Sequence, residues 1–253
     1  MPKGQVKKIM QITKSLTENI RYMKQRFADC GDIIFREFGA VDGKWRLCLI
    51  YVDNMVSTPA VEEIILTNIM NRCDNMEAEG RLQALMDSVI ANKDVQVVQD
   101  LEKVVQGVLV GDTLIFMDGS PFALQASTKG YPNRGVGQAE TEVVVQGPKD
   151  AFTEVLATNL VLIRRRIRDT RLKVIRNQCG SRGKTDVALL YFSDLVRPEI
   201  LEQVKTQIEQ IRTNAILDSG VLEQFLEKRK FSPFPQLQMT ERPDKAVAAL
   251  LEG

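Results

Sequence analysis

Two segments of this sequence, 140 positions apart, carry the same pattern. Asn19 recurs as Asn159, Arg26 as Arg166, Asp29 as Asp169, Tyr51 as Tyr191 and Val56 as Val196. Lys24 faces Arg164, and Gly43-Lys44 faces Gly183-Lys184. The apolar run Leu47 to Val52 lies over Val187 to Phe192 at the same spacing. Agreement in both identity and hydrophobic pattern at one offset reads as a duplicated unit, so one local architecture must serve twice.

Each copy has the same local reading. An amphipathic helix comes first; in copy one, Ile9, Ile12, Leu16, Ile20, Met23 and Phe27 step by three or four. A short strand follows, IIFREF or RLKVIRNQ, then a Gly-bearing turn, AVDGK or CGSRGK, then a more apolar strand, WRLCLIYV or DVALLYF. Turn residues between two β-type runs predict a hairpin. Pro59 or Pro198 then opens a helix, VEEIILTNIM or EILEQVKTQIEQI, at a position where its missing N–H costs little. A third match, at a slightly larger offset, pairs Asp100–Gly111 with Arg242–Gly253, Lys103 meeting Lys245. Both read as capped helices closed by a glycine. After Gly111 comes a strand, Thr113 to Met117, then an Asp118-Gly119 turn and Phe122 to Ala126. After Gly253 nothing comes, so the repeat predicts that the sequence stops in mid-repeat at a boundary within a longer protein.

The expected fold class is therefore α/β: two related subdomains, each a mixed β-sheet packed with helices. The first spans 1–128, a linker or crossover segment spans 129–148, and the second spans 149–253. Lys129 to Gln138, KGYPNRGVGQ, is the best linker by its Gly, Pro and Asn content. Ser232 to Pro243 is a second irregular stretch.

Composition removes several function classes. The chain has no histidine, which excludes Ser-His-Asp and Cys-His nucleophilic chemistry and His-based zinc sites. No catalytic residue, metal or cofactor is expected. Basic residues number 34 against 33 acidic, so there is no broad electrostatic footprint for nucleic acid. Cys30, Cys48, Cys73 and Cys179 have no CxxC spacing and read as unpaired buried thiols. No stretch approaches the roughly 20 apolar residues that span a bilayer, and the N-terminal segment lacks a signal-peptide core.

Three places could carry function. Loops after the second strand of each copy hold Tyr51, Asp53 and Asn54, and Tyr191, Ser193 and Asp194. They are candidates for a polar ligand cleft, although Asp, Asn and Ser at such positions are more often turn formers and helix caps. Gln146 to Glu154 runs a strand, VVVQ, through a Gly-Pro turn into a helix expected over 150–168 with Asp150 as its cap. Phe152, Leu156, Leu160 and Ile163 give that helix one apolar stripe, and Arg164, Arg165, Arg166 and Arg168 crowd its end. Arginines there offset the helix dipole, or meet carboxylates of a neighbouring chain or lobe. The carboxylate pairs Glu62-Glu63 and Glu140/Glu142 read as ordinary surface charge.

The stretch ETEVVVQGPKDAFTEVLATNLVLIRRRIRD closely resembles the signature of the A subunits of bacterial spore germinant receptors, the GerA family. Arg134, Glu142, Gly147, Pro148, Phe152, Thr153, Glu154, Asn159, Ile163, Arg164, Arg165, Arg166 and Ile167 stand at the family's places. GVLVGDTLIFMDG and the segment from Ser219 to Gly253 also look like the family. The sequence departs at Gln138-Ala139, Lys149 and Ala151, where the family has Glu-Pro, Arg and Gly. The resemblance implies a soluble N-terminal domain of a longer membrane protein in the spore inner membrane, facing the core side. It implies B and C subunits as partners, further A subunits among them, and nutrient germinants as the stimulus. On that reading Arg134, Glu142, Gly147, Pro148, Glu154, Asn159, Arg164, Arg165 and Arg166 are partner or signalling candidates in a non-catalytic signalling and assembly module. The alternative is a two-lobed germinant-binding module resembling solute-binding proteins.

Overall fold

The computed structural model describes residues 10–40, 45–62, 95–130, 142, 147–227 and 232–253. The chain divides into two compact units, one of residues 1–28 with 32–132, the other of 29–31 with 133–253.

The first unit opens with helix α1 (Leu16–Arg26), whose cap Ser15 accepts from the Glu18 N–H. Strands β1 (Ile33–Ala40) and β2 (Trp45–Val52) form the expected hairpin, with Ile33 opposite Val52. After β3 (Val95–Val98), helix α2 (Leu101–Val110) is capped by Asp100 and closed by Gly111 at φ 95°, a left-handed turn that glycine takes without strain. Strands β4 (Thr113–Met117) and β5 (Ala123–Ala126) complete a sheet of order β1-β2-β4-β5-β3, antiparallel at every pair. Side chains alternate across it. Leu47, Leu49, Ile115 and Leu124 share one cluster with Val56 and Val61. The intervening Cys48, Ile50, Leu114 and Phe116 are equally buried, and α1 and α2 pack on β2 and β4.

The second unit runs α3 (Leu156–Arg166), β6 (Leu172–Cys179), β7 (Thr185–Phe192), α4 (Pro198–Gln210), α5 (Ser219–Leu226) and α6 (Pro243–Glu252). β6 and β7 pair antiparallel, Leu172 opposite Phe192. Among the described residues the parallel component is a single bridge from Cys30 to Val174, closed by Gly31 N–H to Val174 O and Val174 N–H to Asp29 O, both 2.8 Å. On one face of the hairpin Leu172, Leu190 and Phe192 pack with Ile163 and Ile167 and with Ala246, Val247 and Leu250 of α6. On the other, Cys179, Val187 and Leu189 meet Ile208, Ile211, Ile216, Leu222 and Leu226. The result is helix, sheet, helix, with α4 opened by Pro198 and α6 closed by Gly253 at φ 102°.

One expected element is shorter than its periodicity implied. Helix α3 begins at Leu156, not at Asp150, so Asp150 is not its cap and Phe152 is not on its stripe. Residues 151–155 are held non-helical by side-chain hydrogen bonds from Asn159, which compete with helix formation. The helix after Pro59 starts at Thr58, and its continuation lies outside the described residues, as do Gly43-Lys44, VVVQ and most of the 129–148 segment.

Candidate functional site

The densest stretch of the sequence motif folds around the entry to α3. Asn159 reaches back from the fourth residue of that helix and closes on Thr153. Its Oδ1 accepts the Thr153 N–H at 2.7 Å and its Nδ2 donates to the Thr153 carbonyl at 2.6 Å. The Thr153 hydroxyl accepts the Val155 N–H at 3.3 Å. The same ring recurs in the first unit. Asn19 Oδ1 accepts the Thr13 N–H at 3.0 Å, Asn19 Nδ2 donates to Thr13 O at 2.7 Å, and Thr13 Oγ1 accepts the Ser15 N–H at 3.3 Å. An amide is the one side chain of this size with both a donor and an acceptor in its plane, which is what pairing with a single backbone residue requires.

The three consecutive arginines at the end of α3 differ in what they do. Arg164 is fully buried, 1% exposed, and its Nη1 donates to the Asp169 carbonyl at 3.2 Å. Arg166 forks onto both oxygens of Asp150 at 2.8 and 2.7 Å and also donates to Leu162 O at 2.9 Å. Arg165 is exposed. Arg164 and Arg166 are bound within their own unit, because a 3.6-residue turn points successive side chains about 100° apart. Asp150, expected as a cap, is the counter-charge of Arg166.

Glu142 links the motif to the last helix. Its Oε1 accepts Lys245 Nζ at 2.7 Å and its Oε2 accepts the Thr240 hydroxyl at 2.6 Å. The Lys245 and Thr240 hydrogen bonds hold its carboxyl below the usual carboxylate range. The Phe152 N–H donates to Glu241 O at 2.8 Å, and its ring packs on the cluster of Ile163, Ile167, Leu172 and Phe192 that α6 also covers. Arg242, just before α6, forks onto Asp244. That hydrogen bond lowers the Asp244 carboxyl and raises the Arg242 guanidinium. Lys245, Thr240 and Asp150 were missed as functional partners; they are ordinary residues at a distance in sequence, with no local signal. Thr153 had one, since Thr13 and Thr153 share the 140-residue spacing.

The strand-end candidates are placed as follows. In the first unit Tyr51 is half-buried against the sheet cluster, Asp53 donates its N–H to Asp32 O at 2.8 Å, and Asn54 takes φ 59°. In the second, Tyr191 is buried, with Lys205 Nζ 6.0 Å over its ring; desolvation raises its phenol pKa. Ser193 donates its N–H to Arg171 O at 3.0 Å, and Asp194 accepts Arg171 Nη1 at 2.6 Å. These are turn and ion-pair roles. Gly147 takes φ 124°, open to glycine alone, and Pro148 and Glu154 are exposed. Arg134 lies outside the described residues. Among the described residues no cluster of His, Cys, Asp or Glu could hold a metal, and no helix is long and apolar enough to cross a membrane.

A groove of about 960 Å³ in the second unit lies beside this motif, lined by Phe152, Glu154 and Asn159, by Thr185 to Ala188 of β7, and by Leu217 and Glu241. Its wall combines the 151–159 segment, part of β7 and residues 216–222, with carboxylates and no basic side chain.

Known proteins place these observations. The profile of the family described as "Bacillus/Clostridium GerA spore germination protein" matches residues 21–253. "Uncharacterized membrane protein YfkQ" of Bacillus subtilis (strain 168) is 32% identical over 96% of this chain and 47% of its own length. "Spore germination protein KA" of the same organism is 32% identical over 96% of this chain and 44% of its own. The chain thus spans about half the length of the curated relatives it matches. In structure it is similar to the N-terminal domain of the A subunit of the Bacillus megaterium spore germinant receptor GerK3, with a TM-score of 0.75, 26% identity, and coverage of 98% of this chain and 91% of that one.

Proposed function

Since this chain belongs to the GerA family of spore germination proteins, we propose that it is the N-terminal signalling and assembly module of a germinant receptor A subunit. The observation that carries this reading is the closure of the family motif on helix α6. Glu142 holds Lys245 and Thr240, the Phe152 N–H donates to Glu241 O, and Phe152 packs on the cluster of Ile163, Ile167, Leu172 and Phe192 against which Ala246, Val247 and Leu250 of α6 also pack. Glu142 and Phe152 of the motif join two segments about 100 positions apart. A helix fixed in this way transmits displacement as a rigid lever. The module has no catalytic role. It acts in nutrient-triggered germination together with B and C subunits, in a receptor of the spore inner membrane, on the core side. Arg165, exposed at the end of a helix whose other face is buried, is placed to meet a carboxylate of a neighbouring subunit.

Charge reversal tests this in spores carrying the full-length protein. Glu142→Lys and Lys245→Glu each lower germination rate while the purified domain stays folded, and the double reversal restores it. Normal germination in both single variants overturns the coupling role. Arg165→Ala lowers co-purification of the other subunits at unchanged domain stability; undiminished co-purification removes that contact. A thermal-shift screen with amino acids and sugars examines the two-lobed germinant-binding alternative, which a dose-dependent rise in Tm would favour.

A further inference from the structure

We infer that the outer edge of β7 is a docking site for an antiparallel β-hairpin supplied by the chain beyond α6. At the 140-residue spacing α1 and β2 fall on α3 and β7, while β1 and β6 are offset by 139, Ile33 pairing with Val52 and Leu172 with Phe192; the units differ further at the outer edge of the second strand. In the first, β2 is a central strand: Leu47, Cys48, Leu49 and Ile50 pair with Met117, Phe116, Ile115 and Leu114 of β4, and all four are 0% exposed. Their counterparts at the 140-residue spacing, Val187, Ala188, Leu189 and Leu190, are as apolar but only partly buried. Among the described residues β7 pairs with β6 alone. A four-residue apolar run on an open strand edge leaves backbone N–H and C=O groups unpaired and is a template for another strand.

The α3 terminus differs in the same sense. In the first unit the Leu16 N–H donates to Asp118 Oδ1 at 3.0 Å, and Gly119 N–H donates to Lys14 O at 2.8 Å, so the β4–β5 turn caps α1. The counterpart, Leu156 N–H, has no such partner among the described residues, and its cap residue Val155 has no side-chain oxygen to offer. The 960 Å³ groove is lined both by this helix start, Thr153 to Asn159, and by Thr185 to Ala188 of β7, and it is where the hairpin would lie.

The occupant is fixed by connectivity. Helix α2 leads through Gly111 and Asp112 directly into β4. Helix α6 ends at Gly253 in the same left-handed turn, and a Cβ on Gly253 would lie 3.3 Å from Leu195 O, three residues past the end of β7. A strand leaving that point must run back along β7, hence antiparallel, from Leu190 toward Val187. The relatives run to about twice the length of this chain, so they have residues to supply it.

The test extends the chain past Gly253 with a copy of its own Asp112–Ala126. The expected result is a rise in Tm of about 5 °C or more and at least ~10-fold slower hydrogen exchange at alternate amides of Val187 to Leu190. Replacing the appended copy of Asp118 by Ala should remove about 2–4 °C of that gain, through loss of the cap on Leu156. An extended chain with unchanged Tm and unchanged β7 exchange overturns the proposal. So does strong protection of both edges of β7 before extension. Concentration-dependent dimerisation of the original chain, with β7 protection rising alongside it, would assign the edge to a second copy and overturn it equally.

Discussion

Asn159 and Thr153 form a closed ring, side-chain amide against backbone amide, with both hydrogen bonds at 2.7 Å or less. The ring ends the extended segment 151–155 and starts α3, so one residue sets where the motif stops being strand-like. Asn19 and Thr13 do the same for α1.

The ring predicts an isosteric failure. Asn159→Asp keeps the shape but cannot donate to the Thr153 carbonyl, and it sets a negative charge against that oxygen. Asn159→Asp and Asn159→Ala should each lower stability by about 1–2 kcal/mol. Asn19→Ala should cost more, about 2–3 kcal/mol, because Asn19 is 2% exposed. Urea unfolding of the three variants reads this, and wild-type midpoints would remove the ring from the account of the fold.

The arginines should separate by burial. Arg164→Ala removes a fully buried side chain and its bond to Asp169 O, a loss of about 3 kcal/mol. Arg166→Ala breaks a partly exposed fork on Asp150 and should cost at most about 1 kcal/mol. Arg165→Ala should stay within ~0.5 kcal/mol. Equal losses at all three positions in thermal melts would contradict this order.

Much of this fold could be read from the residues. WRLCLIYV, with its apolar density, gave β2 to the residue, and Asp100 with Gly111 bounded α2, because caps and hairpin strands are written locally. The start of α3 was misplaced because periodicity continues through Phe152 while the competing hydrogen bond comes from Asn159, six residues from Thr153. Glu142 was legible only through the family resemblance. Its partner Lys245 stands 103 positions away and was matched with Lys103 as a repeat position, with no sign of the ion pair. Long-range pairing of ordinary surface residues depends on topology, which no spacing rule encodes.

The buried thiols give a chemical check. Burial pushes the Cys48 thiol up to about 12 and raises that of Cys179, and a thiolate is the reactive form. Cys30 is buried and directs its Sγ to the Leu172 carbonyl at 3.5 Å. In native protein at pH 8, alkylation of Cys30, Cys48 and Cys179 should be far slower than after unfolding, with all three found unpaired by mass spectrometry without reductant. Rapid native labelling of Cys48 would be inconsistent with its place in the centre of the sheet.

Acid should loosen α6 first. The folded-state pKa of Glu142 is lowered by Lys245 and Thr240, and that of Asp244 by Arg242. A lowered carboxylate pKa means stabilisation present above the unfolded value, about 4 for Asp and Glu, and lost as pH falls through the folded value beneath it. From pH 7 down to about 5 the α6 anchorage should therefore be constant, and below about 4 it should weaken progressively. Hydrogen exchange of α6 amides along an acid series measures this, with β2 amides as the internal reference. Glu142→Gln cannot bind Lys245 by charge, so its α6 should already exchange faster at pH 7 and change less on acidification. If α6 and β2 lose protection together in the wild type, the helix is not separately anchored, and the lever assigned to it loses its physical basis.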